Sequence, residues 1–467
     1  MDAGRPLQVH QAICQNQELI LEDNDINSKY PGKSQAYATV AVLFVANIMS
    51  FVDRQIPAML VGPIKQEFGI SDSEVAFLIG FAFAATYALA VLPIGLAVDR
   101  LKRNLVLGSG ILLWSIMTIG AVFATTYNKL LGARMGVAAG EAVIAPVSVS
   151  LVGDSFREKH RGRAMGIVTA GVYIGIGISL VGGGYLIDYL TERGGLTIPL
   201  IGHVKPWQGV FVVAGAPGII VAIAGFLLRD PPRLNAKDTA SDGFLWSALL
   251  QHIRNYKKTL FFLLSGLLFM SMIFYSFSTW APTMLVRTHG LSLSEIGMKL
   301  GALTISTSIL GTITAGFLAD KLTEKGYKDA PVRVAMLACV LALPAIVLAP
   351  LVTSITLCWL LLAIYLFAIS SYATLGLLSV GSVSHSGIKG QMTAFFALLM
   401  MISGMLGPQI TAAFTDFLFK DESKLNVSMA MTGGATLPIA LLLLWLSLPH
   451  FAKTTAEMSG SSQTTPL

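Results

Sequence analysis

The stretch GLAVDRLKRN, Gly95 to Asn104, closes one long apolar run and opens the next. A glycine, an acid and three bases are compressed between two segments centred near residues 85 and 114, each of membrane length. A bilayer core needs about 20 consecutive apolar residues per helix. The motif is therefore a short loop between two membrane spans. It returns further along the chain as Gly316-Phe-Leu-Ala-Asp320-Lys321. Arg161-Gly162-Arg163 and Lys389-Gly390-Gln391 form a second repeated pair at nearly the same separation. Two loops recurring at nearly one spacing divide the chain into halves of equal plan.

Composition agrees. Of 467 residues 54% are hydrophobic and only 12% charged, about half the charge of a soluble domain. The 45 glycines suit close helix packing in lipid. The sequence predicts an all-α polytopic membrane protein of twelve spans in two six-helix bundles, residues 36–229 and 258–450. A linker at 230–257 opens with Asp230-Pro231-Pro232, and polar tails cover 1–35 and 451–467. Of the 32 Lys and Arg, 22 fall in the tails and loops on the side of the termini and 8 in the opposite loops. By the positive-inside rule both termini face the cytoplasm, with a bacterial inner membrane the expected setting. The net charge of +6 reflects this bias and needs no nucleic-acid partner. Cys14, Cys339 and Cys358 form no metal-ligand or disulfide pattern. No cofactor or metal is expected, and no catalytic dyad or phosphate-binding loop suggests an enzyme.

Ionisable groups deep in the spans are few: Asp53 and Arg54 in span one, Arg134 and Glu141 in span four. Charge inside a membrane is costly and usually has a use. With a helix rise of about 1.5 Å per residue, Arg54 and Glu141 lie at similar depth. The four can neutralise one another as a structural cluster. They can equally form a proton-coupling site, in which Asp53 or Glu141 titrates and frees an arginine for an anion. Asp188 and Asp416, toward the far ends of spans five and eleven, are accounted for by exposure to lipid headgroups.

The loop GLAVDRLKRN resembles the signature between spans two and three of major facilitator transporters, departing from it at Asn104. FVDR (51–54), GPIKQEFGISDSEVAFLIG (62–80), the stretch from Leu112 to Asp154 and RGRAMG (161–166) resemble the Spinster-type branch. That resemblance implies transport by alternating access, with a central polar site at Asp53, Arg54, Glu141 and Arg134. It implies a cavity lined by spans one, four, seven and ten, so Phe274, Tyr275, Trp280, Tyr365, Ser371 and Tyr372 are its candidates in the uncharged half. It also implies a cytoplasmic gate. Gly95 and Asp99 would meet the N-terminus of span eleven, and Arg100 and Arg103 would pair with Asp154 and Glu158. Gly316, Asp320 and Lys321 would repeat this in the second half. A charged wall facing an aromatic one suits an amphipathic, anionic lipid moved with protons by a monomer. Proton symport of small organic anions is the alternative.

Overall fold

Backbone N–H and C=O groups in a bilayer core find no water, so each apolar run must pair them within itself as a helix. The computed structural model describes residues 30–199, 201–233, 246–385 and 388–461. Among these, twelve helices are long and apolar enough to span a membrane. In the first half they are α1 (Lys33–Met59), α2 (Asp72–Arg100), α3 (Arg103–Phe123), α4 (Tyr127–Ser155), α5 (His160–Glu192) and α6 (Pro206–Leu227). In the second they are α7 (Lys257–His289), α8 (Leu293–Glu324), α9 (Ala330–Leu348), α10 (Ile355–Ser382), α11 (Lys389–Phe419) and α12 (Glu422–Met458). The even count puts the start of α1 and the end of α12 on one face, here the terminal face; the other is the distal face. The N-terminal tail to residue 29 and residues 234–245 of the expected linker lie outside the described residues. The linker does contain a helix, Trp246–Asn255. A hairpin of Leu196–Ile198 with Gly202–Val204 joins α5 to α6.

The halves are copies at the level of helix caps. Before α2 the chain reads Gly69-Ile-Ser-Asp-Ser-Glu74, and before α8 Gly290-Leu-Ser-Leu-Ser-Glu295, separated just as Gly95 is from Gly316. Gly69 (φ 63°) and Gly290 (φ 65°) take the left-handed conformation that reverses the chain after the preceding helix. Ser71 and Ser292 then accept hydrogen bonds from the backbone N–H of Glu74 and Glu295, satisfying helix ends that would otherwise be bare.

Two contacts of equivalent placement join the halves, α5 with α8 and α2 with α11. Both depend on small residues. A side chain at Gly297 would collide with the main-chain carbonyl of Leu180, and a Cβ on Gly80 would stand 2.9 Å from the carbonyl oxygen of Gly404. Without water to drive helices together, such close approach supplies the packing energy.

Candidate functional site

Neighbouring residues on a helix point about 100° apart, and this separates Asp53 from Arg54. Arg54 turns toward α4, where its Nε donates to Oε2 of Glu141 at 2.6 Å. Ser50, one turn earlier, donates to the same oxygen at 2.7 Å. The guanidinium also lies over the rings of Phe51, Phe83 and Tyr87, at 4.9, 5.1 and 5.0 Å. Glu141 is fully buried, while a quarter of the Arg54 side chain stays open to the cavity. Regular α4 hydrogen bonding breaks at Ala142–Val143, directly after Glu141. Pro146 contributes to the break, because it has no N–H to offer the Ala142 carbonyl.

Asp53 points elsewhere. One carboxylate oxygen accepts from Thr118 at 3.2 Å, and the other has no hydrogen-bond partner among the described residues. The remaining buried base does not reach that carboxylate either. Arg134 donates to the main-chain oxygen of Asp53 at 3.1 Å and stacks on Phe83 at 5.4 Å. The four charges expected in one cluster thus resolve into one ion pair, a base on the backbone, and a buried carboxyl with no ion-pair partner among the described residues. Asp53 and Arg54 do not pair with each other.

A cavity of about 270 Å³ lies between the halves, at the small end of ligand pockets. Arg54, Gln55, Phe51 and Phe83 form the wall on the first half; Phe274, Tyr275, Ser278 and Tyr372 form the wall on the second. Trp280, Tyr365 and Ser371, expected on that wall, stand behind it. Trp280 donates to the Pro408 carbonyl at 3.0 Å, Tyr365 to the Ile273 carbonyl at 3.0 Å, and Ser371 to Ala368 at 2.8 Å. All three are buried helix-packing residues. Gln55, Tyr173 and Ser278 were not anticipated but line the cavity. Gln55 donates to Ser278 across the halves at 2.5 Å. Their signal was present in the sequence: Gln55 follows the charged pair, and Ser278 follows Tyr275 by one helical turn.

On the distal side the halves are held together. Arg287 of α7 binds both oxygens of Asp72 of α2, at 2.7 and 2.9 Å. Lys65 reaches Asp72 at 2.5 Å and Glu422 at 2.8 Å. Asp416 of α11 accepts from the N–H of Ser73 at the start of α2, at 2.6 Å. Asp188 of α5 accepts from the N–H of Ser294 at the start of α8, at 2.8 Å. Ser73 and Ser294 hold the same place in the repeated hexapeptide, and the two acids are separated just as Arg161 is from Lys389. These acids are therefore cross-half helix caps, and headgroup exposure does not account for them.

Among the described residues, the contact expected of Gly95 and Asp99 with α11 at the terminal face is not made in this conformation. Asp99, Arg100, Asp320 and Lys321 are exposed. A Cβ on Gly95 or Gly316 would meet nothing within 4 Å. Arg103 is fully buried, but its work is inside the first half. It bonds Asp154, and also holds Asp230 at 2.6 Å and Ser150. The side chain of Glu158 lies outside the described residues.

Twelve spans in two equivalent halves, with a cavity that carries Arg54 at their interface, define a secondary transporter. The chain belongs to the Major Facilitator Superfamily, whose family model matches residues 43–408. It is 27% identical to an MFS-type efflux pump of Mycolicibacterium smegmatis, over 91% of this chain and 96% of that one. Human protein spinster homolog 1 is 29% identical, over 56% of this chain and 47% of that one. The fold is also that of a bacterial homologue of the human lysosomal transporter Spinster, crystallised inward-facing and unoccupied. That structure has a TM-score of 0.74 and 24% identity, and the match covers 92% of this chain and 99% of that chain.

Proposed function

We propose that the protein is a proton-linked transporter of an amphipathic anion, a lipid with one charged headgroup, working by alternating access. The observation that carries this reading is the bare carboxyl oxygen of Asp53, buried beside an Arg54 that is open to the cavity. Ionised, Asp53 is a buried charge with no ion-pair partner among the described residues; protonated, its free oxygen becomes a donor. Arg54 is the anchor for the anionic headgroup, which competes with Glu141 for the guanidinium. Phe274, Tyr275 and Tyr372 opposite it receive the apolar part. The excess of basic residues in the loops of the terminal face supports a cytoplasmic side for that face. In this orientation the distal clasp closes the outer side.

Proteoliposomes with an imposed pH gradient test the reading. Asp53→Asn keeps the size and the Thr118 contact but removes the ionisable proton. Gradient-driven flux of a lysophospholipid falls to the background of empty liposomes, while exchange at equal pH continues. Undiminished gradient-driven flux in this variant would refute proton coupling through Asp53.

Proton symport of a small organic anion is the second reading. It is favoured by a likeness to the probable L-galactonate transporter of Escherichia coli, 24% identical over 87% of this chain and 88% of that one. Thermal stabilisation of the purified protein by sugar acids, and not by lysolipids, would select it.

A further inference from the structure

Away from the central cavity, a groove of about 1040 Å³ opens where the terminal ends of α7, α9 and α12 meet. Three fixed cations line it: Lys257 and Lys258 at the start of α7, and Arg333 in the first turn of α9. The single acid on its wall, Asp329, is already bound by Arg333 at 2.7 Å. Both lysines are exposed, and no acidic side chain pairs with either among the described residues. His450 of α12 completes the polar rim, its ring stacked on Phe262 at 6.1 Å with the planes 8° apart. A hydrogen bond of 2.9 Å between Thr259 and Thr454 ties α7 to α12 behind it. Below this rim the lining turns apolar. Phe261 and Trp445 expose 63% and 57% of their surface, one helical turn or so into the membrane zone.

We propose that this groove holds the headgroup of an anionic phospholipid from the leaflet at the terminal face. A phosphodiester accepts from two ammonium groups and an imidazole at the rim, and its acyl chains run down past Phe261 and Trp445. The arrangement has the parts such a site needs: unneutralised lysines at the level of the lipid phosphates, and an indole at the interface. A zwitterionic lipid brings its own cation to the rim and gains less. The inference is independent of what the central cavity carries, because the two sites share no residue.

The test uses the purified full chain in phosphatidylcholine nanodiscs with phosphatidylglycerol titrated in. Phosphatidylglycerol raises the unfolding temperature, whereas extra phosphatidylcholine or inorganic phosphate does not. In Lys257→Gln/Lys258→Gln the apparent affinity for phosphatidylglycerol falls about tenfold or more, and the unfolding temperature in pure phosphatidylcholine is unchanged. A second readout needs no charge variant. Brominated phosphatidylglycerol quenches the fluorescence lost in Trp445→Phe more strongly than brominated phosphatidylcholine does. Equal response to the two lipids, an unchanged affinity in the double variant, or full reproduction of the shift by inorganic phosphate would each overturn the assignment.

Discussion

Replacing Arg54 with leucine leaves the fully buried Glu141 with Ser50 as its one hydrogen-bond partner among the described residues. Breaking a buried pair from one side costs about 3–5 kcal/mol, whereas removing both charges is often close to neutral. Arg54 is partly open to the cavity, so its loss falls at or below the low end of that range. Arg54→Leu therefore lowers the unfolding temperature of the purified protein, and Arg54→Leu/Glu141→Leu restores most of the loss. A double variant less stable than the single would show that the two side chains do not form the pair. The rarity of charge in these spans made all four groups legible, and helix rise put Arg54 level with Glu141. The choice of partner was not legible, because adjacent residues on one helix face different neighbours and a uniformly apolar span does not say which. Tyr365 and Trp280 show the same limit. A tyrosine or an indole reads alike whether it lines a cavity or spends its donor on a neighbouring carbonyl.

Among the elements outside the twelve spans is the helix Trp246–Asn255 in the linker, which no membrane holds in place. It docks through His252, a buried ring 5.7 Å from that of His385 and 4.8 Å from that of Tyr256. Burial, and then the neighbouring His385, hold the imidazole of His252 below its ordinary value of 6.5. An undocked ring titrates at that ordinary value, so docking is undiminished above it and weakens as pH falls below it. Amide hydrogen exchange across residues 246–255 is therefore faster at about pH 5.5 than at about pH 7.5 after correction for intrinsic rates, and His252→Phe abolishes the difference. The long apolar helices were legible from their length alone. This short one was not, since ten mixed residues carry no membrane signal and its apolar side is fixed only by what it docks against. The caps before α2 and α8 stood in plain view as a repeated hexapeptide, yet their external partners are set by packing between halves.

For the whole molecule, the distal clasp is the quantity that sets which face is open. A carboxylate on a helix N-terminus contributes about 0.3–1 kcal/mol. Asp188→Asn/Asp416→Asn therefore shifts the balance toward the distal-open state by about 3- to 30-fold, each single substitution giving part of it. Spin labels on the distal ends of α2 and α8, read by pulsed distance measurement, report the change; an unaltered distribution would remove both acids from the gate. The two-half plan was legible from the repeated loops, but the conformation was not. The residues of a transporter serve every state it visits, and a ligand or a proton only shifts the population among them. Asp99 and Gly95 stand apart from α11 here for that reason. The cross-half caps carry one more consequence. Each half contributes one acid and one helix end to the other, so neither half is the lock or the key. A single six-span unit bearing the hexapeptide and the acid would close on a second copy of itself through the same two contacts, an isologous twofold dimer. The present chain has the form of that dimer joined through the segment between Leu227 and Lys257, with the deep charges in its first half.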